Sequence, residues 1–319
     1  MRVLWPHNFD PSAPNGGSFM YTTMRGLEEL GVDVCLEYLG NLRSPIRIAK
    51  AMKYIREISG NFDLVHAQYG SACALVTSAV RDRPLVMTIR GNDWTTYDES
   101  LGFIYFHTRL ARWMTKISFR HFKGVISVSN RMLTSIIPYA SQAQFLILPA
   151  PIDLEKWTQQ KPMINNRKEK WVLFTSQRIS DPVKRYALCK KVIELANQSM
   201  HNIVLRTAVD LPHAAMPAFV ASCDAILCTS ESEGWPNSIK EALACNVPFV
   251  STDISDLAEI AAQEPSCRVC NPNAVDLARN LCEVLKMPRQ NNLRRFVDPM
   301  DIKTSSRRLL SFYESLLKN

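Results

Sequence analysis

An α/β protein of two Rossmann-like, doubly wound domains facing across a cleft is the fold class that this sequence predicts. Three observations predict it. Short apolar runs alternate with amphipathic helical stretches, the β-α-β order that builds parallel sheets. The apolar runs are continuous rather than alternating, as in strands covered on both faces. The pattern restarts after a polar break, and 319 residues exceed what one ordinary core accommodates.

In the first half, strands are expected at Val3-Leu4-Trp5, Val32 to Tyr38, Asp63-Leu64-Val65, Leu85-Val86-Met87, Val125 to Val128 and Phe145 to Leu148. Helical spacing of apolar residues predicts helices near 19–30, 46–58, 71–80, 103–121 and 130–137. Gln159 to Lys170 has the composition of an exposed linker, so domains are expected over 1–158 and 159–303. Strands of the second half are expected at Trp171 to Phe174, Asn202 to Leu205, Ala225 to Leu227, Val247 to Val250 and Arg268-Val269. Its helices are expected near 184–197, 213–222, 236–244, 254–263 and 273–286, with a last helix near 304–317.

Composition excludes several classes. With 46% hydrophobic and 21% charged residues the chain is neither disordered, collagenous nor a coiled coil. No apolar run approaches the roughly 20 residues that span a bilayer. The start, Met1 to Trp5, enters a strand pattern directly, so no export signal is expected. Nine cysteines, an odd number mostly in apolar stretches, suit a reducing, cytoplasmic setting. Cys267-Arg268-Val269-Cys270 has no second pair, and the six histidines have no ligand spacing, so no metal or other cofactor is expected. The net charge of +8 is local: residues 101–150 carry six Lys/Arg and no acid. No nucleic acid is expected as a partner.

The most informative stretch runs from Ser230 through Glu233-Gly234-Trp235-Pro236-Asn237-Ser238 to Glu241 and Ala244. It follows a strand and opens a helix, with Pro236 suited to the first helical turn and Asn237 or Ser238 able to satisfy free amides there. A helix start attracts anions. Two carboxylates at such a start, Glu233 and Glu241, fit a ligand with hydroxyls, since an ionised carboxylate accepts hydrogen bonds strongly. The alternative is that both acids only stabilise the helix dipole. Upstream, Arg178 and Lys184 follow the first strand of the second half; from position alone they read as solvated cations near a helix start, where the helix dipole disfavours them. Asn15-Gly16-Gly17-Ser18 lies between a strand and a helix; Gly16 and Gly17 permit close backbone approach, or form an ordinary turn.

The Glu233 to Glu241 span, its continuation to Asp253, and Asp256 to Ile260 resemble the nucleotide-sugar site of retaining GT-B glycosyltransferases, family four in that classification. The resemblance extends over nearly the whole chain. It implies that Arg178 and Lys184 hold the donor diphosphate, Glu241 the ribose and Glu233 the donor sugar, with Glu233, Arg178 and Lys184 as catalytic groups. Gly16, Gly17, Gly234, Trp235, Pro236, Asn237 and Ser238 would line the donor site. Thr88-Ile89-Arg90-Gly91-Asn92-Asp93 resembles the family's T-x-H-G-x-D, with Arg90 where the family has His and Asp93 matching; both are expected near the donor. Val128-Ser129-Asn130 and Leu148 to Asp153 resemble two further family segments. The unit from Val204 to His213 is shorter than the family's. The implied activity is transfer of a hexosyl unit from a nucleoside-diphosphate sugar to a glycan or lipid-linked acceptor, with retention and without a metal. The first domain would take the acceptor, the second the nucleotide sugar, and the helix at 304–319 would pack back on the first. A nucleotide-sugar epimerase and a non-catalytic subunit of the same fold are the alternatives.

Phe103 to Lys123 reads as one amphipathic helix with Arg109, Arg112, Lys116, Arg120 and Lys123 on one stripe. Phe106, Leu110, Trp113, Met114 and Ile117 take the adjoining face. Arg109, Arg112, Trp113, Lys116, Arg120 and Lys123 are therefore expected to face an anionic membrane, placing the protein peripherally on the inner face of the cell membrane. The alternative is a solvated basic face on a helix whose apolar side packs on its own sheet.

Overall fold

The structure is a computed structural model. It describes the chain except residues 13–16, 98, 158–167, 177–178, 209–210, 213 and 319. The chain divides into two units: Met1–Pro151 with Ile302–Asn319, and Ile152–Asp301. The break thus falls before the polar stretch at 159–170. Ile152 and Asp301 bridge one another, and the Ile152 amide donates to the Met300 carbonyl at 3.0 Å. That bridge closes the second unit upon itself.

The first unit is built on a six-stranded parallel sheet. Its strands are β1 (Arg2–His7), β2 (Asp33–Tyr38), β3 (Leu64–Ala67), β4 (Leu85–Ile89), β5 (Gly124–Ser127) and β6 (Gln144–Ile147), in the order β2-β1-β3-β4-β5-β6. β1, β3, β4 and β5 are buried nearly throughout, which explains their unbroken apolar character. Helices α1 (Ser18–Glu28), α2 (Pro45–Ile58), α3 (Ser71–Thr77), α4 (Phe103–Ser118) and α5 (Asn130–Ile136) connect them. α5 starts on Ser129, whose Oγ accepts the Met132 amide at 3.3 Å.

The second unit holds a five-stranded parallel sheet of β7 (Lys170–Phe174), β8 (Ile203–Thr207), β9 (Ala225–Cys228), β10 (Phe249–Thr252) and β11 (Arg268–Cys270), ordered β11-β10-β9-β7-β8. α6 (Tyr186–Met200), α7 (Met216–Ala221), α8 (Asn237–Ala244) and α9 (Leu257–Ala261) join its strands, and α10 (Ala274–Lys286) follows β11. α10 begins on Asn273, which accepts the Asp276 amide. The core is Val172, Val192, Leu227, Val250, Leu277, Leu281 and their neighbours.

The final helix, α11 (Ile302–Leu317), belongs to the first unit. It buries Leu309, Phe312, Tyr313 and Leu316 with Val3, Trp5, Leu64 and Ile126. Close approach is bought by two glycines. A Cβ on Gly26 would lie 2.2 Å from Ser306 Oγ, and one on Gly124 would lie 2.7 Å from Leu316 Cδ1.

In each sheet the chain reverses its winding direction beside the first strand, between β1 and β3 and between β7 and β9. Crevices at the carboxyl ends of such strands are where doubly wound sheets bind ligands. The nine cysteines are free, and all but Cys35 are buried. Burial pushes the Cys267 thiol up to about 12 and Cys270 to about 11, so this pair offers no ready thiolate. Among the described residues no helix is long and apolar enough to cross a membrane.

Candidate functional site

The second unit brings Lys184 and Glu233 together at its switch point. After β7 the chain makes a single 3₁₀ turn, Pro182–Lys184, capped by Asp181, whose Oδ1 accepts the Val183 amide at 3.0 Å. Arg185 then adopts φ 50°, a left-handed conformation, and α6 begins at Tyr186. Lys184 therefore precedes the helix instead of opening it, which corrects the expectation of a helix from 184.

The loop after β9 is tied to this turn. Thr229 Oγ1 donates to the Lys184 carbonyl at 2.8 Å, the Glu231 amide donates to the Val183 carbonyl at 2.8 Å, and Arg185 pairs with Glu231 at 3.1 Å. Glu233 projects from the loop so held. Its Oε1 accepts from Lys184 Nζ and, at 2.9 Å, from Ser230 Oγ. Burial alone would lower the Lys184 ammonium, but the adjacent Glu233 carboxylate outweighs it and holds the group above its ordinary value. Lys184 is a cation at any physiological pH.

α8 starts beside this pair. Pro236 is its flanking cap, not its first helical residue, and no side chain caps it. Asn237 and Ser238 are the first two helical residues, so their side chains do not satisfy the leading amides as the sequence suggested. Gly234, Trp235 and Pro236 are buried. The Gly234 carbonyl accepts Ser255 Oγ at 2.6 Å, and the Ser230 carbonyl accepts Thr252 Oγ1 at 2.6 Å. The loop is thus fixed from β10 as well as from the 3₁₀ turn.

Glu241 is the fifth residue of α8, and no acid occupies the first turn. Simple dipole stabilisation by both carboxylates therefore does not describe this site. Burial pushes the Glu241 carboxyl up to about 7, partly opposed by Lys240 and Lys156. The folded state keeps a proton there that the unfolded chain loses at about 4.5. Stability should therefore fall as pH rises from 4.5 to 7, by up to about 3 kcal/mol at 1.36 kcal/mol per unit. Glu241→Gln is expected to unfold at a higher temperature than the native chain at pH 8 and at a similar one at pH 4.5. A melting temperature lowered at pH 8 would contradict this.

At the first unit's switch point, Arg90 lies just beyond β4. Its Nε donates to the Gln68 carbonyl at 3.0 Å and its Nη2 to Gln68 Oε1 at 3.2 Å, while the guanidinium sits 3.7 Å above the Phe19 ring. Phe9 packs edge-on against both Phe19 and Tyr69. Asp93 does not join this surface. It is 0% exposed, and its oxygens accept the amides of Gly70 (2.9 Å), Gly91 (2.8 Å) and Arg90 (3.0 Å). Burial pushes its carboxyl up, against those amide bonds. Asp93 shapes the loop that presents Arg90 and has no oxygen left for a ligand, a correction to its expected donor contact. A Cβ at Gly70 would lie 3.0 Å from Asp93 Oδ2 and 2.7 Å from Thr115 Oγ1, so only glycine fits there. Beneath Arg90, His66 Nδ1 meets Tyr313 Oη at 2.5 Å, His66 Nε2 meets Thr88 Oγ1 at 2.7 Å, and Trp5 Nε1 donates to Tyr313 Oη at 3.1 Å.

Gly17 caps α1 at φ 74°, the left-handed region that favours glycine. Gly16 and Arg178 lie outside the described residues. Gln68, Phe19 and Tyr313 were missed in the sequence, whereas Ser230 was read as the start of the motif without a role of its own. Gln68 follows β3 directly and Ser230 lies two residues beyond β9, the strand-end position that marks ligand-facing residues in doubly wound sheets. Nothing local signals Phe19 or Tyr313.

The basic stripe is not the one expected. α4 ends at Ser118 and a 3₁₀ turn, Phe119–His121, follows, so Arg120 and Lys123 leave its helical face. Arg112 and Lys116 turn inward onto aromatic rings, Arg112 4.6 Å above Trp94 and Lys116 3.9 Å above Tyr139. Arg109, Trp113, Arg120 and Lys123 remain exposed.

The model of the family described as Glycosyltransferase Family 4 matches residues 7–156, and that described as Glycosyl transferases group 1 matches residues 167–287. The chain is 20% identical to TuaC of Bacillus subtilis (strain 168), assigned by name to teichuronic acid biosynthesis as a glycosyltransferase, over 82% of this chain and 83% of TuaC. Among solved structures, sucrose-phosphate synthase of Thermosynechococcus elongatus is similar with a TM-score of 0.78 at 13% identity, covering 100% of both chains. HepE of Anabaena, in complex with UDP and glucose, is similar at 0.67 and 16% identity, covering 99% of this chain and 100% of HepE. The apo form of the lipopolysaccharide outer core galactosyltransferase WaaB is similar at 0.71 and 11%, covering 99% of each. At such identities the structures establish the fold, two parallel-sheet α/β domains of the GT-B kind. With one family model over each half, the chain belongs to the GT-B glycosyltransferases of the family-four type.

Proposed function

We propose that this glycosyltransferase moves a hexosyl unit from a nucleoside-diphosphate sugar to a glycan or lipid-linked acceptor, with retention of anomeric configuration and without a metal. The observation that carries the reading is the Lys184–Glu233 pair, held beside the uncapped start of α8 at the carboxyl ends of β7 and β9. A diphosphate entering there draws the Lys184 ammonium away from Glu233. The freed carboxylate then accepts hydrogen bonds from donor-sugar hydroxyls. Lys184, with Arg178, neutralises the charge that grows on the leaving diphosphate, the part a metal would otherwise take. A leaving phosphate oxygen takes the acceptor proton as the new bond forms on the same face, so neither glutamate needs to act as nucleophile. Glu241, ionised above about pH 7, accepts the ribose hydroxyls. Nucleotide affinity should accordingly rise through that pH. The presence of UDP in HepE and the polysaccharide setting of TuaC support the substrate classes.

A panel of UDP-, GDP- and ADP-sugars tests this by thermal stabilisation. A ligand at a hundred times its dissociation constant adds about 2.7 kcal/mol. One base should stabilise in preference, and turnover with that donor should persist in a chelator. No stabilisation by any of them would overturn the donor assignment. Free epimerised nucleotide sugar without acceptor would overturn transfer.

A further inference from the structure

α4 is amphipathic with its polarity reversed. Its buried face is Thr108, Ala111, Thr115 and Ser118. The opposite face carries Phe103, Phe106, Leu110 and Trp113, which are 80%, 70%, 55% and 56% exposed. The spacing of 3, 4 and 3 puts these four on one stripe along a helix of 16 residues, about 24 Å long. Contiguous exposed apolar side chains of this size mark an interaction surface.

The stripe leads to a basic groove. Ile117, next along the same face, lines an open cavity of about 290 Å³ together with Leu75, Arg56, Arg81, Arg120 and His121. Arg81 Nη1 approaches His121 Nδ1 at 2.7 Å, and Arg120 Nε approaches Nε2 of the same ring at 3.1 Å. A neutral imidazole accepts through one nitrogen only. One of the two guanidiniums therefore meets an N–H, and its donor needs an acceptor from elsewhere. The carboxyl ends of α2, α3 and α4 border the groove and supply about half a negative charge each. Three arginines exceed that sum. Glu57 is turned to Lys53 at 3.8 Å, and Asp82 does not line the cavity. Exposed Arg109 beside the stripe adds to the field, in a segment of 50 residues without an acid.

We propose that this face of the first unit docks on a bilayer of anionic phospholipid, with α4 lying along the interface and a lipid phosphate seated between Arg81, Arg120 and His121. Phe103, Phe106, Leu110 and Trp113 enter the headgroup boundary, as the apolar face of an interfacial helix does. The groove fixes the carboxyl end of α4. Its amino end follows the loop that presents Arg90, so docking brings the first unit's switch point near the lipid surface, where a lipid-linked acceptor is held.

The test is co-sedimentation of the full chain with vesicles of phosphatidylcholine alone or mixed with phosphatidylglycerol, at low and high salt. Pelleting is expected with the anionic vesicles and not the neutral ones, and high salt should reduce it. Arg81→Ser with Arg120→Ser should lower partitioning about thirtyfold, from the attraction of two cations near an anionic surface. Phe106→Ser with Trp113→Ser should lower it by at least as much. Arg47→Ser with Lys50→Ser on α2 removes the same charge away from the groove and should change it little. Melting temperatures check that each variant folds. A native chain that stays in the supernatant with anionic vesicles overturns the proposal. So does stabilisation by soluble glycerol phosphate without vesicle binding, which would assign the groove to a free phosphate. Equal losses from the groove and α2 pairs would overturn the seated headgroup in favour of diffuse attraction.

Discussion

Replacing Lys184 with alanine is expected to weaken nucleoside-diphosphate binding by roughly 10- to 150-fold. This follows from removing one charged hydrogen bond worth roughly 1.5–3 kcal/mol. Isothermal calorimetry with free nucleotide and with the full donor measures it directly. The Lys184–Glu233 contact adds a second expectation. Glu233→Gln removes the carboxylate that competes for the ammonium, so it should spare or improve free-nucleotide affinity while impairing transfer. Ser230 Oγ still has the amide oxygen to donate to, so the loop should keep its shape. Glu241→Gln should weaken nucleotide and donor alike. In the double variant of Lys184 and Glu233 the effects should not add, because groups in direct contact couple. Unchanged affinity in Lys184→Ala, or additive effects in the cycle, would remove the diphosphate role from Lys184.

Tyr313→Phe is expected to destabilise the first unit by about 2–4 kcal/mol, although it removes a single oxygen. Tyr313 Oη serves two fully buried groups, Trp5 Nε1 and His66 Nδ1, and each buried group left unpaired costs about 1–3 kcal/mol. Burial, aided by the Arg90 charge, holds His66 well below its ordinary value, so the ring stays neutral and cannot recover the loss by protonation. Urea denaturation at pH 7 reads the change. The same network underlies Thr88, and Arg90 lies next along the chain after β4, so transfer should fall with stability. A loss below about 0.5 kcal/mol would mean that water replaces the hydroxyl, and the hub assignment would fail.

Much of the fold was legible because strands buried on both faces must be apolar throughout. β1, β3, β4, β5 and β9 lie within a residue or two of their expected positions. β10 lies two residues later than the apolar run Val247 to Val250, since Val247 and Pro248 lead into the strand and Ser251 and Thr252 extend it. Their hydroxyls are satisfied by the carbonyls of Thr252 and Ser230, so polar side chains enter a buried strand at little cost. α4 shows the limit of periodicity more sharply. Its apolar stripe was legible, but which face is buried was not. Thr108, Thr115 and Ser118 return their hydroxyls to the carbonyls of Ile104, Ala111 and Met114, which leaves small side chains that let α3 approach closely.

By itself the sequence determined the two α/β halves, the glycosyltransferase family, and the motif positions of Lys184, Glu233 and Glu241. The two halves follow from local pattern, and the family and the motif positions from the resemblance of short segments to a known family; neither needs distant neighbours. Only the tertiary structure decided that Lys184 and Glu233 form one pair, because they come from turns 49 residues apart that meet where the sheet changes direction. Only the tertiary structure withdrew Asp93 from the ligand surface and turned Arg112 and Lys116 onto aromatic rings. And it alone placed Tyr313, 247 residues from His66, at the centre of the first unit's polar core. A side chain's partners are set by what the fold brings to its face, and a charge or hydroxyl has the same letter in the sequence whether it meets solvent, an amide or a ligand.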